Sequence, residues 1–244
     1  MSINVLVNGA FGRMGQLVVK AIAAHPHLEL VGQTGREYDL LESIKDSKAE
    51  VVVDFTHPNA ILNNINTIID AGAHPVIGTT GLTIEQVKTL QEKCKQLKLG
   101  GIIVPNFSMG AVLMMKAAKD IVKYMPNVEI IEMHHDKKAD SPSGTALRSA
   151  ELMANAVENI NPLAKSSIET IPGARGANHR GIPIHAIRLQ GFLAHEQILF
   201  GNIGETLTLR HDSIDRECFM PGVCFACEKV ITLNHLVYGL EEIL

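Results

Sequence analysis

Apolar positions over the first hundred residues follow two alternating periods. Short, β-branched runs at residues 3–7, 28–32, 51–55, 74–77 and 101–104 predict strands, while residues 14–24, 58–71 and 83–97 carry the helical period. Pro58 and Thr83 suit a first turn or a cap. Strand and helix in alternation predict βαβ units and a mostly parallel, doubly wound sheet. After Asn106 the pattern changes: a helix over residues 108–124 halted by Pro126, a strand over 128–133, and a helix from Pro142 to about residue 160. Residues 182–210 read as three alternating strands parted near Gln190-Gly191 and Gly201-Asn202, hence an antiparallel or mixed sheet with helices on one face. Residues 171–181, rich in Gly and Arg, read as a long loop, and residues 221–238 as a last helix that returns to the first domain. The expected fold is α/β: a Rossmann-like doubly wound parallel sheet (residues 1–106 and 217–244) with a second, mixed α+β domain (residues 107–216).

Composition narrows the partners. In 244 residues, 22 Lys and Arg stand against 26 Asp and Glu, a formal net charge of -4, which argues against a general basic surface for nucleic acid or anionic lipid and favours a small-molecule partner. No apolar run approaches the roughly 20 residues of a membrane span. With no charged and apolar leader before the first strand, a cytoplasmic location is expected. Cys224-x-x-Cys227 has a spacing that can serve zinc or redox chemistry, yet there is no second such pair and the segment reads as helix, so buried thiols are expected and no metal.

Gly9-Ala10-Phe11-Gly12-Arg13-Met14-Gly15 follows the first strand and opens the first helix, where glycines let backbone N–H groups approach a pyrophosphate. The spacing is G-x-x-G-x-x-G, so its position carries more than the string, and it points to a dinucleotide. Arg36 and Glu37 lie where such folds read the adenosine ribose. A guanidinium suits a 2′-phosphate and a carboxylate a free 2′-hydroxyl, so NADPH and NADH both stay open. Three further strand-end loops reach the same rim: Phe55-Thr56-His57-Pro58, Gly78-Thr79-Thr80-Gly81 and, after Val104, Pro105-Asn106-Phe107-Ser108.

The segment from Glu132 through His134-His135, Lys137-Lys138, Asp140 and Ser141-Pro142-Ser143-Gly144-Thr145-Ala146 leaves a strand and enters a helix. Hydride addition to a conjugated carbon leaves negative charge that a nearby acid must neutralise, a task for histidine at neutral pH, shared by a partly desolvated lysine. With Ser141 as cap and Pro142 in the first turn, the N–H groups near Ser143, Gly144 and Thr145 would receive a substrate carboxylate. Adjacent histidines on a strand point to opposite faces and make a poor metal clamp.

These segments together, with Arg188-Leu189-Gln190-Gly191, His195-Glu196 and residues 200–205, resemble the dihydrodipicolinate reductase family over nearly the whole chain. The resemblance implies an NADPH- or NADH-dependent reductase of lysine and diaminopimelate biosynthesis acting on a dicarboxylate. His134 would be the acid/base residue and Lys138 a proton donor, with His135, Ser143, Gly144 and Thr145 as substrate contacts. Gly9, Ala10, Phe11, Gly12, Arg13, Met14, Arg36, Gly78, Thr79, Thr80, Val104, Pro105, Asn106 and Phe107 would hold the cofactor. It further implies a dinucleotide-binding first domain, a second domain that binds substrate and assembles a homotetramer, and hinges near residues 106–108 and 211–216. Ser141 stands where many relatives have Ala, and Arg36 precedes Glu37 where relatives often have the acid first. A dinucleotide-sensing regulator would explain the glycine turn but leaves the His-His-x-x-Lys segment without a task. A thiol-dependent dehydrogenase lacks a well-placed cysteine.

Overall fold

Val51, Val52 and Val53 are fully buried, as are Val5, Leu6 and Val7, and strands this apolar on both sides need cover on both faces. The computed structural model, which describes residues 2–162 and 168–244, supplies it. The chain divides into two units, Met1–Met109 with Arg216–Leu244, and Gly110–Asp215.

The first unit is a six-stranded, all-parallel sheet. Its strands are β1 (Ile3–Asn8), β2 (Leu28–Thr34), β3 (Val51–Asp54), β4 (His74–Ile77), β5 (Gly101–Ile103) and, last in the chain, β11 (Leu236–Tyr238), in the order β11-β5-β4-β3-β1-β2. On one face Leu6, Val52, Ile77 and Ile103 pack against α2 (Leu40–Ser47), α3 (Ile61–Asp70) and α4 (Ile84–Leu97) through Ile44, Ile65, Ile68 and Leu90. The other face carries α1 (Arg13–Ala24), which buries Gly15, Val18 and Ile22 at helical spacing, and α7 (Met220–Val230). Strand order reverses between β1 and β3, the switch point at whose carboxyl edge ligands of open α/β sheets bind.

The second unit holds a mixed sheet of β6 (Asn127–His134), β7 (Ala177–His179), β8 (Ile182–Arg188), β9 (Ala194–Asn202) and β10 (Glu205–Ser213), in the order β10-β9-β6-β8-β7. Among the described residues only the β6 and β8 pair of this sheet is parallel. Ile130, Ile184, Ile198 and Phe200, on one face, close a core with α5 (Met109–Ile121) and α6 (Gly144–Ala154) through Met114, Ala118, Ala146, Ala150 and Met153.

Three expectations need correction, and one helix was not expected. Residues 221–238 are not one helix: α7 ends at Val230, and β11 pairs parallel with β5 as a sixth strand. The loop over residues 171–181 contains the short edge strand β7. A further helix, α2, is capped by the Asp39 carboxylate, which accepts from Glu42 N–H at 2.9 Å. The helix expected from Pro142 starts at Gly144 and stops at Ala154, and its cap is Ser143 rather than Ser141, because the Ser143 hydroxyl accepts from Ala146 N–H at 3.2 Å. Thr83 caps α4 as expected, with Gln86 closing the box onto Thr83 N–H at 2.8 Å.

Candidate active site

In the first unit the chain leaves β1 through Gly9, whose φ of +81° and position admit no side chain: a Cβ there would stand 2.4 Å from the Phe55 carbonyl oxygen. One turn later a Cβ on Gly15 would stand 2.0 Å from the Gly9 carbonyl oxygen, so this glycine lets α1 start hard against the turn. The cap of α1 is Gly12, with no side-chain cap bond and no acidic residue in the first turn. The N–H groups of that turn are left for an anion.

A cavity of about 550 Å³ opens at the switch point, lined by Asn8, Gly9, Phe11, Gly12, Gly35, Arg36, Tyr38, Leu40, Phe55, Thr56, His57, Ala60 and Asn64. A second, of about 380 Å³, is lined by Gly12, Arg13, Met14, Phe55, Thr56, Pro58, Gly78, Thr79 and Thr80. A small one of about 50 Å³ gathers Thr79, Thr80, Gly81, Leu82, Ile103, Val104, Pro105 and Tyr238. The structure thus brings Gly9, Phe11, Gly12, Arg13, Met14, Arg36, Gly78, Thr79, Thr80, Val104 and Pro105 to one edge. Ala10 is buried, its N–H given to the Thr34 carbonyl at 3.0 Å. Asn106 accepts from Ser108 N–H at 2.8 Å, and Phe107 is buried against Phe55 with ring centroids 5.6 Å apart. At the far end Phe11 and Tyr38 stack at 5.9 Å beside Arg36, and Glu37 is not among the lining residues.

What sequence reasoning missed is the carboxylate that ties these loops. Asp54, fully buried at the end of β3, accepts from Asn8 and Asn64 amides at 2.8 and 2.9 Å on one oxygen. The other oxygen takes Thr56 N–H, its hydroxyl and the Thr79 hydroxyl at 3.0, 2.7 and 2.9 Å. Thr34 donates to Asn8 at 3.0 Å, so the ends of β1, β2 and β3 and the loop after β4 share one network. The signal was present: an acid closing an otherwise all-valine strand.

A dinucleotide suits this edge on the structure's own terms: uncapped first-turn N–H groups, glycines where a Cβ would collide, and an elongated set of cavities carrying a cation and two exposed aromatic rings.

In the second unit a different buried carboxylate organises the His134 segment. Glu132, at 0% exposure, accepts from His134 Nδ1 at 2.6 Å, from both terminal nitrogens of Arg188 at 2.7 and 2.8 Å, and from Ser143 N–H at 3.0 Å. Burial by itself raises its pKa; the bonds from His134 and Arg188, the His134 charge and the Ser143 N–H outweigh that and hold it at about 2. Arg188 also donates to the Asp140 carbonyl at 2.6 Å, fixing the loop. Lys138 pairs with the Asp140 carboxylate at 2.8 Å. Ser143 spends its N–H on Glu132 and its hydroxyl on the cap, whereas Gly144 is exposed and a Cβ there would meet nothing within 4 Å. His135 is half-buried and its carbonyl accepts from Lys138 N–H at 3.2 Å. His134, His135, Lys138, Ser143, Gly144 and Thr145 therefore fall in one segment around the end of β6 and the start of α6. Arg188, from β8, is the partner whose role the sequence alone did not disclose.

Cys224 and Cys227 are buried in α7, and burial pushes Cys224 up to about 11 and Cys227 well above its ordinary value. No helix among the described residues is long and apolar enough to cross a membrane.

Residues 3–107 match the family model for the N-terminus of dihydrodipicolinate reductase, and residues 110–244 the model for its C-terminus. Proteins named 4-hydroxy-tetrahydrodipicolinate reductase from Coxiella burnetii (strain Dugway 5J108-111) and Legionella pneumophila (strain Lens) are each 51% identical over the full length of both chains. A dipicolinate-bound dihydrodipicolinate reductase from Paenisporosarcina sp. TG-14 superposes with a TM-score of 0.88 at 40% identity, covering all of both chains. The NAD complex of GenD2, from gentamicin A biosynthesis, shares the fold at 14% identity and a TM-score of 0.62, covering 86% of this chain and 72% of that one. On both halves and over its full length, the chain belongs to the dihydrodipicolinate reductase family, and it is an oxidoreductase that uses NADH or NADPH.

Proposed function

We propose that this chain reduces (hydroxy-)dihydrodipicolinate to tetrahydrodipicolinate in lysine and diaminopimelate biosynthesis, with His134 as the acid/base residue and Lys138 as a proton donor. The observation that carries this reading is the buried Glu132 carboxylate on His134 Nδ1 at 2.6 Å. An ionised carboxylate can only accept, so Nδ1 carries a hydrogen and Nε2 is the nitrogen that takes and gives the exchanged proton. The same carboxylate balances the positive charge of the imidazolium form. Lys138 is oriented by its pairing with Asp140. A nicotinamide held by the first unit would supply the hydride.

Gly144 and Thr145, at the N-terminus of α6, would take a substrate carboxylate, with His135 beside them. Ser143 sets the shape of that turn from within. The dipicolinate in the Paenisporosarcina relative is a ligand of the same dicarboxylate class. In the first unit, Gly9 to Met14 would hold the pyrophosphate, and Gly78, Thr79, Thr80 and the loop from Val104 to Phe107 the nicotinamide end. Arg36, which lines the cavity where Glu37 does not, would meet a 2′-phosphate.

A homotetramer assembled through the second unit's sheet is part of the same proposal. Its support is the face opposite the α5 and α6 core, where Ile131, Leu199 and the 40% exposed Ile187 contribute nothing to that core. Sedimentation should return the mass of four chains. A cytoplasmic location fits the four free thiols.

His134→Gln and Lys138→Ala should each lower kcat by roughly 100-fold or more, with dinucleotide affinity by calorimetry unchanged. Wild-type turnover in both variants would overturn the roles of these two side chains.

A further inference from the structure

Along the helix-covered face of the second unit's sheet, the inward positions are apolar until one row. Ala186, Glu132, Glu196 and His211 are successive register partners on β8, β6, β9 and β10. Cross-strand partners have Cβ atoms about 4.5–5.5 Å apart, so Glu132 at 0% exposure and Glu196 at 4% are neighbouring buried carboxyls. Their surroundings differ. Glu132 has Arg188, His134 and Ser143 N–H, whereas Glu196 Oε1 accepts from the Ser149 hydroxyl at 2.6 Å and Oε2 is buried without a partner.

Among the described residues no cation compensates Glu196. β6 presents Glu132. β10 presents His211, whose imidazole burial holds below its ordinary range. α6 presents the Ser149 hydroxyl, and its own Arg148 and Glu151 pair with each other at 3.6 Å. α5 meets the row at Gly110, against the His211 ring. His195, next on β9, points to the other face and is bound to Asp212 at 2.6 Å. A second anion in this row would lie next to the first in a poorly solvated layer, which burial and like charge both oppose. Burial, aided by the Glu132 charge and opposed by Ser149, pushes Glu196 up to about 7.

We propose that Glu196 is held as a neutral carboxylic acid and is a positioning residue: its proton limits the site to one buried anion, and losing that proton weakens the hold on an anionic substrate. In that step the O–H bond breaks, the electron pair stays on the carboxylate and the proton goes to water. The new charge is tied through Ser149 to α6, whose N-terminus bears Gly144 and Thr145, so it subtracts from the positive end offered to a substrate carboxylate. The effect on substrate rests on the reading that this turn binds one.

The test compares wild type, Glu196→Gln and Ser149→Ala, with kcat and KM for the dicarboxylate substrate at saturating cofactor from about pH 6 to about pH 9. Wild-type KM should rise roughly tenfold across the window with kcat little changed, and Glu196→Gln should show no such rise. Ser149→Ala, which removes the donor favouring the anion, should move the rise to higher pH. Unfolding provides a readout that needs no substrate. A carboxyl raised from 4.5 to about 7 binds its proton in the folded chain where the unfolded chain has lost it. Wild type should therefore lose stability relative to Glu196→Gln as pH rises from about 4.5 to about 7, with a constant difference above that.

A pH-independent stability difference, or parallel KM profiles in wild type and Glu196→Gln, overturns the proposal. Should the glutamine variant not fold, an unmoved KM profile in Ser149→Ala overturns it instead. Absence of turnover combined with the expected stability difference would defeat the substrate assignment and uphold the neutral acid.

Discussion

At Glu132 burial and hydrogen bonding act in opposite directions, and the bonds prevail. Because its folded pKa of about 2 lies below the ordinary 4.5, it contributes stability above about pH 4.5 that is lost as pH falls through about 2. The shift corresponds to about 3 kcal/mol at neutral pH. Urea unfolding of wild type and Glu132→Gln should show a gap that narrows as pH is lowered across this range; a gap independent of pH would deny the carboxylate that role. The residues of this site divide by how the sequence displays them. His134, Lys138, Gly144 and Thr145, the residues proposed for the site, stand in one short run, and the sequence displays that run directly. Arg188 lies 56 positions from Glu132 and Glu196 another strand further on, so only folding shows that Glu132 has Arg188 as its partner and Glu196 as its cross-strand neighbour. Charged residues at inward positions of apolar strands were the available sign, at Glu132, Glu196 and Asp54 alike.

Helix starts translate single side chains into larger consequences. Ser143 and Thr83 both cap helices, and loss of either hydroxyl costs about 1 kcal/mol. Thr83→Ala should lower the thermal midpoint and leave KM unchanged, since α4 carries none of the proposed substrate contacts. Ser143→Ala should lower the midpoint by a similar amount and also raise substrate KM, because the same hydroxyl shapes the turn at Gly144 and Thr145. Equal KM values for the two would remove α6 from substrate binding. The long strands and helices were legible because several periods of burial are written into them. β7 and β11, at three residues each, are too short to show a period, and β11 follows closely enough on α7 to look like its continuation. α2 escaped for another reason: its eight residues bury only Ile44 fully, so its stop and start signals exceed its apolar signal.

For the whole molecule, a cofactor that binds only the folded chain raises stability by mass action, about 2.7 kcal/mol at a hundredfold excess over Kd. The Arg36→Ala variant should lose more of the NADPH-induced rise in thermal midpoint than of the NADH-induced one. Equal losses would remove the guanidinium from phosphate recognition. The doubly wound order that creates the switch point also makes the first unit discontinuous, with β11 arriving after the whole second unit has been read out. Leu236 of that strand belongs to the same buried cluster as Leu6 and Val52. During synthesis residues 110–215 emerge as one uninterrupted stretch, while the β5 edge waits for its neighbour until residues 236–238 have emerged. A released chain ending just before residue 236 should therefore carry a formed second unit and an unfinished first one, a difference that limited proteolysis would reveal.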